Sequence, residues 1–302
     1  MTDRIVEIAD GPARLHVRHE QLVIERDGQP EVTTPLAELA ALVLTNPRVQ
    51  LTQAVISGIA AAGGSVVICG PNFLPAAMML PLQTHFLQTE RLAQQAQMSA
   101  PLRKRLWQQI VRAKVKAQSR LLIELHGEDG GLKGLVAQVQ SGDPKNVEAQ
   151  AARRYWTLLF ANPKFRRDRE APDQNRHLNY GYAVLRAITT RAICGAGLHP
   201  SLGLQHRNRY DPFSLAADLM EPFRPIVDRA VALWIQEHDP MEELDPETKS
   251  WLVGTLLARF DAKQEERTLF DILARTASSL AQAILEKKPR LELPEVRGPC
   301  DG

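Results

Sequence analysis

Residues 203–225 read GLQHRNRYDPFSLAADLMEPFRP and hold the side chains of this 302-residue chain best suited to chemistry. Asp218 and Glu221 stand three apart, which puts both carboxylates on one side of a helix. Their neighbours Phe213, Leu215, Leu219, Met220 and Phe223 are apolar. Carboxylates buried in such company need a cation or strong donors. Arg207, Arg209 and Arg224 can supply donors, and a divalent metal is the other source of charge. His206, fifteen residues before Glu221, offers a ring nitrogen from across a loop. A persuasive metal site needs a third acid, and Glu148 is the best candidate. It stands beside Ala149, Ala151 and Ala152, whose small side chains let another helix or a substrate approach. Oxygen-rich ligation with one imidazole suits Mg2+ or Mn2+ better than structural zinc, which favours thiolates and histidines. A plainer reading makes His206 a cap and the acids and arginines a salt-bridge network. Residue types and spacing leave both readings open.

The elements that must position these groups follow from periodicity and punctuation. Short runs rich in Val, Ile and Leu at 4–9, 13–19 and 21–26 predict strands, with Gly11-Pro12 and Asp27-Gly28 as turns. The apolar runs 39–45 and 65–70 predict buried strands. Residues 51–64 carry helical spacing and stop at Gly63-Gly64. From about residue 84 helical patterns take over, including a long amphipathic helix over 100–127 that ends at Gly127. Asp143 and Pro144 predict an N-cap and first helical position, opening the helix that carries Glu148. Residues 161–176 predict a basic surface loop, and 177–197 a helix. Pro222 and Pro225 must kink or split a helix over 212–236. Further helices are expected near 246–260 and 267–287. The Pro- and charge-rich tail 289–302 is expected to be disordered.

Composition bounds the function classes. The chain is 44% apolar with 24% charged residues and a net charge of +2, ordinary for a soluble protein. Charge is unevenly spread: five Lys/Arg against eight Asp/Glu through residue 85, leaving 32 against 27 beyond it. Arg153, Arg154, Lys164, Arg166, Arg167, Arg169 and Arg176 face only Asp168, Glu170 and Asp173 in their stretch, a clustering that suits a polyanion. A solvated helix face is the plainer account of the same residues. Cys69, Cys194 and Cys300 lack CxxC spacing, so neither a disulfide framework nor a zinc knuckle is expected, and a reducing cytosol is. The N-terminal MTDRIVEIAD has no long apolar run and no stretch is long enough to span a bilayer, so a cytoplasmic protein without a membrane partner is expected.

Three motifs in order, EAQAARRYW (148–156), LNYGYAVLRAITTRAICGAGLHPSLGLQHRN (178–208) and DPFSLAADLMEPFRPIVD (211–228), resemble the CRISPR-associated adaptation integrase, the first of the CRISPR-associated proteins. LTNPRVQLTQAVISGIAAAGGSVVICG resembles the β-domain of the same family, particularly as found in type II systems with a single large effector nuclease. The resemblance implies an α+β protein: a small N-terminal β-rich dimerisation domain (1–82), then a larger all-α catalytic domain (83–288). It implies a divalent metal, Mg2+ or Mn2+, on Glu148, His206 and Glu221, with Asp218 ligating or supporting. It implies transesterification by the 3′-hydroxyl of a captured DNA duplex at the repeat array, with water in place of that hydroxyl giving nuclease activity. The partners implied are prespacer and repeat-array DNA, a second copy of the chain, and a small second adaptation protein; the effector nuclease is a further candidate. Arg153, Arg166, Arg167, Arg207 and Arg224 are the candidate DNA contacts, Arg224 serving equally to brace Glu221. The second nitrogen of His206 is expected on Asn208 or Asp218. Tyr155, Trp156, Tyr180 and Tyr182 are expected to pack rather than stack on bases. Two other functions fit the residues: a stand-alone metal-dependent nuclease acting on branched DNA in repair, and a non-catalytic DNA-binding scaffold.

Overall fold

The computed structural model describes residues 4–9, 11–70, 75–79, 85–206, 208–262 and 265–299. Two four-stranded sheets make the N-terminal part. One has the order β1-β5-β7-β8, from β1 (Arg4–Ile8), β5 (Leu39–Leu44), β7 (Ser65–Cys69) and β8 (Pro75–Met79). The other has the order β4-β3-β2-β6, from β2 (Ala13–Arg18), β3 (Gln21–Glu25), β4 (Val32–Pro35) and β6 (Val49–Leu51). His19 and Glu20, with φ of 51° and 60°, close the β2–β3 hairpin. Positive φ at both central residues matches the twist of the paired strands. Helix α1 (Gln53–Ala61) lays Val55 and Ile59 into the core between the sheets.

β5, sequence LAALVL, is buried at all six positions. Leu39, Leu42 and Leu44 face the core of the β-part, whereas Ala40, Ala41 and Val43 face a second core shared with helix α6 (Asn175–Gly195). α6 is buried on nearly every face, the mark of a central helix. The polar, basic stretch before it is irregular until Asn175.

The rest is mostly helical. α2 (Gln88–Ala96) leads into α3 (Ala100–His126), which spans about 40 Å at 1.5 Å per residue. α3 stops at Gly127, whose φ of 81° gives the left-handed cap. α4 (Leu132–Val136) and α5 (Val147–Leu159) pack against α3. The two prolines divide the expected 212–236 helix into α7 (Ser214–Leu219), a 3-10 turn (Glu221–Phe223) and α8 (Arg224–Trp234). α9 (Pro246–Leu257) and α10 (Leu269–Leu285) complete the helices. A three-stranded sheet of order β10-β9-β11 joins them, built from β9 (Arg259–Ala262), β10 (Glu265–Thr268) and β11 (Val296–Pro299).

Two expectations need correction. Over 289–299 the tail is docked, not disordered. Leu291 and Leu293 pack on the helical core, and β11 pairs antiparallel with β9. The backbone finds partners: Leu291 N donates to Gln109 Oε1 at 3.1 Å, Glu292 N to Ser279 Oγ at 2.8 Å, and Thr276 Oγ1 to Glu292 O at 2.9 Å. Residues 300–302 lie outside the described residues. The second correction concerns Asp143, which is not the N-cap residue of α5; Asn146 is. Asp143 nonetheless serves that helix end from a turn, its Oδ1 and Oδ2 each accepting at 2.9 Å from the N–H groups of Val147 and Glu148.

Candidate active site

Six elements meet at one point. α3 brings Lys114, the first turn of α5 brings Glu148, and the loop after α6 brings His206. α7 brings Asp218, and the following turn and α8 bring Glu221 and Arg224. Glu148 sits where a helix N-terminus favours a carboxylate, its own N–H tied down by Asp143.

Asp218 is fully buried and organises the loop that presents the histidine. Its Oδ2 accepts from Leu204 N at 2.6 Å and Gln205 N at 3.0 Å. Its Oδ1 lies 3.2 Å from His206 N and 2.6 Å from His206 Nδ1. Of the two expected partners of the imidazole, Asp218 is the one on Nδ1, and Nε2 has no hydrogen bond among the described residues. The hydrogen bond to Asp218 raises the His206 pKa above its ordinary value; burial opposes this, and the charges of Asp218, Glu221 and Glu148 reinforce it. The ring stands edge-on to Trp107, centroids 5.9 Å apart. Gly203 permits this loop: a Cβ there would lie 2.3 Å from His206 O and 3.0 Å from Asp218 Oδ2.

Glu148 and Glu221 converge on Lys114. Its Nζ is 2.6 Å from Glu148 Oε1 and 2.7 Å from Glu221 Oε2. Arg224 Nε lies 3.0 Å from Glu221 Oε1. Burial pulls the Lys114 pKa down, but the charges of Glu221 and Glu148 outweigh it and the pKa is raised. Burial works to raise the Glu221 pKa, and Arg224 and Lys114 overcome it, so the carboxyl is held below its usual range. Arg224 in turn lies over the Tyr182 ring at 4.7 Å. The Tyr182 and Tyr155 hydroxyls both donate to Asp228, Tyr155 at 2.7 Å. Asp228 is buried, and burial pushes its carboxyl up to about 6 against the pull of these hydroxyls and of Arg224 and Arg167. Tyr155, Tyr180 and Tyr182 are buried and Trp156 partly so, packing on its neighbours Phe160 and Phe165.

Among the described residues, no group of three His, Cys, Asp or Glu side chains is gathered tightly enough to hold a metal ion. Lys114 stands between the carboxylates, and His206 is turned toward Asp218. The donor chemistry nevertheless fits Mg2+ or Mn2+. The buried carboxylate of Glu221 and the half-buried one of Glu148 already share one cation position, and the charges of both reach the imidazole.

The candidate DNA contacts separate. Arg153 and Arg166 are exposed. Arg224 braces Glu221. Arg167 is held by Asn175 and Asn179, at 2.8 and 2.6 Å, over Tyr182. Arg207 lies outside the described residues. Beside the acidic centre opens a cavity of about 390 Å3 lined by Arg167, Arg169, Arg186 and Arg224 with Tyr182 and Phe213. Burial lowers the pKa of Arg167 and of Arg186, against the opposing charges of Asp228 on the first and Asp211 on the second, and with four arginines to the one acid Asp211 the lining favours an anionic guest. Sequence reading missed Lys114, Arg186 and Asp228; each is one charge among several in its helix, where a solvated position is the ordinary expectation.

The fold and site thus define a two-part α+β protein with a buried acidic centre beside a basic cavity. A family profile described as "CRISPR associated protein Cas1" matches residues 7–250. The CRISPR-associated endonuclease Cas1 of Neisseria meningitidis is 34% identical over 299 residues, 98% of this chain and 97% of the relative. One from Pyrobaculum aerophilum is 27% identical over 294 residues, covering 92% and 98%. The chain belongs to the CRISPR-associated Cas1 family. Solved structures share the fold. A casposase bound to integration product gives a TM-score of 0.79 at 22% identity over 97% of this chain and 93% of that one. A Cas1 protein from Thermotoga maritima gives 0.75 at 16% identity over 94% and 97%. A chain of a Cas6-RT-Cas1–Cas2 complex gives 0.75 at 19% identity, over 95% of this chain and 35% of that longer one. Among the described residues, no helix is long and apolar enough to cross a membrane.

Proposed function

We propose that this protein is a metal-dependent DNA endonuclease and integrase of CRISPR spacer acquisition. The observation that carries the reading is the convergence of Glu148 and Glu221 on one cation position, with His206 beside it and an arginine-lined cavity adjoining. Family membership and the casposase and Cas1–Cas2 likenesses support it.

In the proposed reaction the 3′-hydroxyl of a captured duplex attacks a phosphodiester of the repeat array. A new 3′-O–P bond forms, the old P–O bond breaks, and the strand end leaves as a 3′-hydroxyl. No Ser/His/Asp nucleophile is required. Mg2+ or Mn2+ on Glu148, Glu221 and His206, when bound, supplies positive charge and lowers the pKa of the attacking hydroxyl. Asp218 holds a proton on His206 Nδ1 and so presents Nε2 as the unprotonated donor. Arg224 fixes Glu221, and Tyr182 and Asp228 fix Arg224. Arg169, Arg186 and the exposed Arg153 and Arg166 neutralise phosphates, without reading base sequence. The working form is proposed to be a homodimer assembled with a small second adaptation protein.

Strand transfer of a labelled 3′-overhang duplex into a repeat-bearing plasmid tests the proposal. Glu148→Ala, His206→Ala and Glu221→Ala are each expected to abolish joined product while retaining the fold and the metal-independent part of DNA binding. Full activity in these variants would refute it.

A further inference from the structure

We propose that Lys114 is the resident counter-cation of the acidic centre and couples divalent-ion binding to the arrival of DNA. The inference rests on the metal reading given above.

Lys114 is not a surface lysine that happens to lie near acids. It stands one turn from Ile110 and Gln118, both buried, so α3 directs it into the protein. Its side chain is only 12% exposed, and its ammonium bridges Glu148 and Glu221 at 2.6 and 2.7 Å. An ammonium is a compact point charge on a flexible stem, able to fill a cation position and to withdraw from it.

Charge counting gives the consequence. Glu148 and Glu221 carry two negative charges, which Lys114 and Arg224 already match. Asp218 is engaged separately, by His206 and the N–H groups of its loop. A divalent ion added to this arrangement leaves two positive charges in excess in a mostly buried site, an unfavourable state. Two events relieve it: Lys114 withdraws, or an anion arrives. The adjoining cavity shares Arg224 with the acidic centre and is lined by three more arginines against one acid, Asp211, so a DNA phosphate is the anion this surface selects. The free protein therefore holds the ion weakly. DNA strengthens ion binding, and by linkage the ion strengthens DNA binding by the same factor.

The test is calorimetric titration of the full-length protein with Mn2+, with and without a short 3′-overhang duplex. Lys114→Met is expected to bind Mn2+ at least tenfold tighter than wild type in the absence of DNA, about 1.4 kcal/mol. The enhancement by DNA is expected to shrink by a similar factor. Lys114→Gln repeats the measurement if the methionine variant does not fold. Melting in EDTA gives a second readout: the variants are expected to lose stability without metal and to regain more of it than wild type on adding Mn2+. Unchanged or weaker Mn2+ binding by folded Lys114 variants overturns the inference. If Glu148→Ala at the same time abolishes Mn2+ binding, the metal reading survives and only the counter-cation role falls. Absence of Mn2+ binding in wild type, with and without DNA, sinks both.

Discussion

Asp228 is an acid that the fold holds at a cost, and the cost is readable as a pH dependence. Its carboxyl accepts the hydroxyls of Tyr155 and Tyr182 in a buried pocket, and burial lifts its pKa from 3.8 to about 6. A carboxyl raised on folding binds more protons in the folded than in the unfolded chain between those two values. Stability is then greatest below about pH 4, falls as pH rises through the window to about 6, and is flat above it with respect to this group. The interval is worth about 3 kcal/mol in all, at about 1.4 kcal/mol per pH unit. Asp228→Asn removes the titration. Urea unfolding of both proteins between pH 4 and pH 7.5 should show the asparagine variant gaining about 2.4 kcal/mol of that relative to wild type across the range, because the other titrating groups cancel. A wild-type-to-variant difference that stays constant from pH 4 to pH 7.5 would refute the reasoning.

Three further outcomes are expected. Gly203→Ala forces a Cβ against His206 O and Asp218 Oδ2; it should destabilise the chain by about 1–3 kcal/mol, read from denaturant midpoints, and strand transfer should fall far more than DNA binding. Truncation after Lys288 strips Leu291, Leu293 and the β11 pairing from the helical core, and should lower the melting temperature by several degrees; an unchanged melt would contradict the docked tail. Arg169→Ala should weaken DNA binding uniformly across sequences and reduce the slope of log affinity against log salt by about 0.9 in fluorescence-anisotropy titrations, with unaltered melting.

Much of the framework was legible because its signals are local. Gly127 ends α3, Pro222 and Pro225 break the helix beside Glu221, and the all-apolar run of β5 marks a strand covered on both sides. Besides β8 and β11, four strands that escaped notice are short and mostly polar. VTTP, VQL, RFDA and EERT make β4, β6, β9 and β10, and such segments are held by ladder partners distant in sequence rather than by their own pattern. The tail misled through its prolines and charges, although Leu291 and Leu293 alternate as a docked extended segment should. At the centre, the motifs named the acids and the histidine, but nothing local could name Lys114. In VRAKVKAQ it reads as one more solvated cation, and only the packing of α5 on α3, 34 residues on, brings Glu148 to it. Asp228 was hidden for the same reason, its hydroxyl partners lying 46 and 73 residues away.

β5 is a wall common to two rooms, with three side chains in the β-part and three against α6. Cutting the chain between strands and helices would therefore not release two self-sufficient pieces, since each half would lose the lining of its neighbour. A displacement of the N-terminal sheets presses directly on α6, the helix that carries Tyr182 and leads into the His206 loop. Whatever grips the β-part thus has a rigid lever on the geometry of the acidic centre.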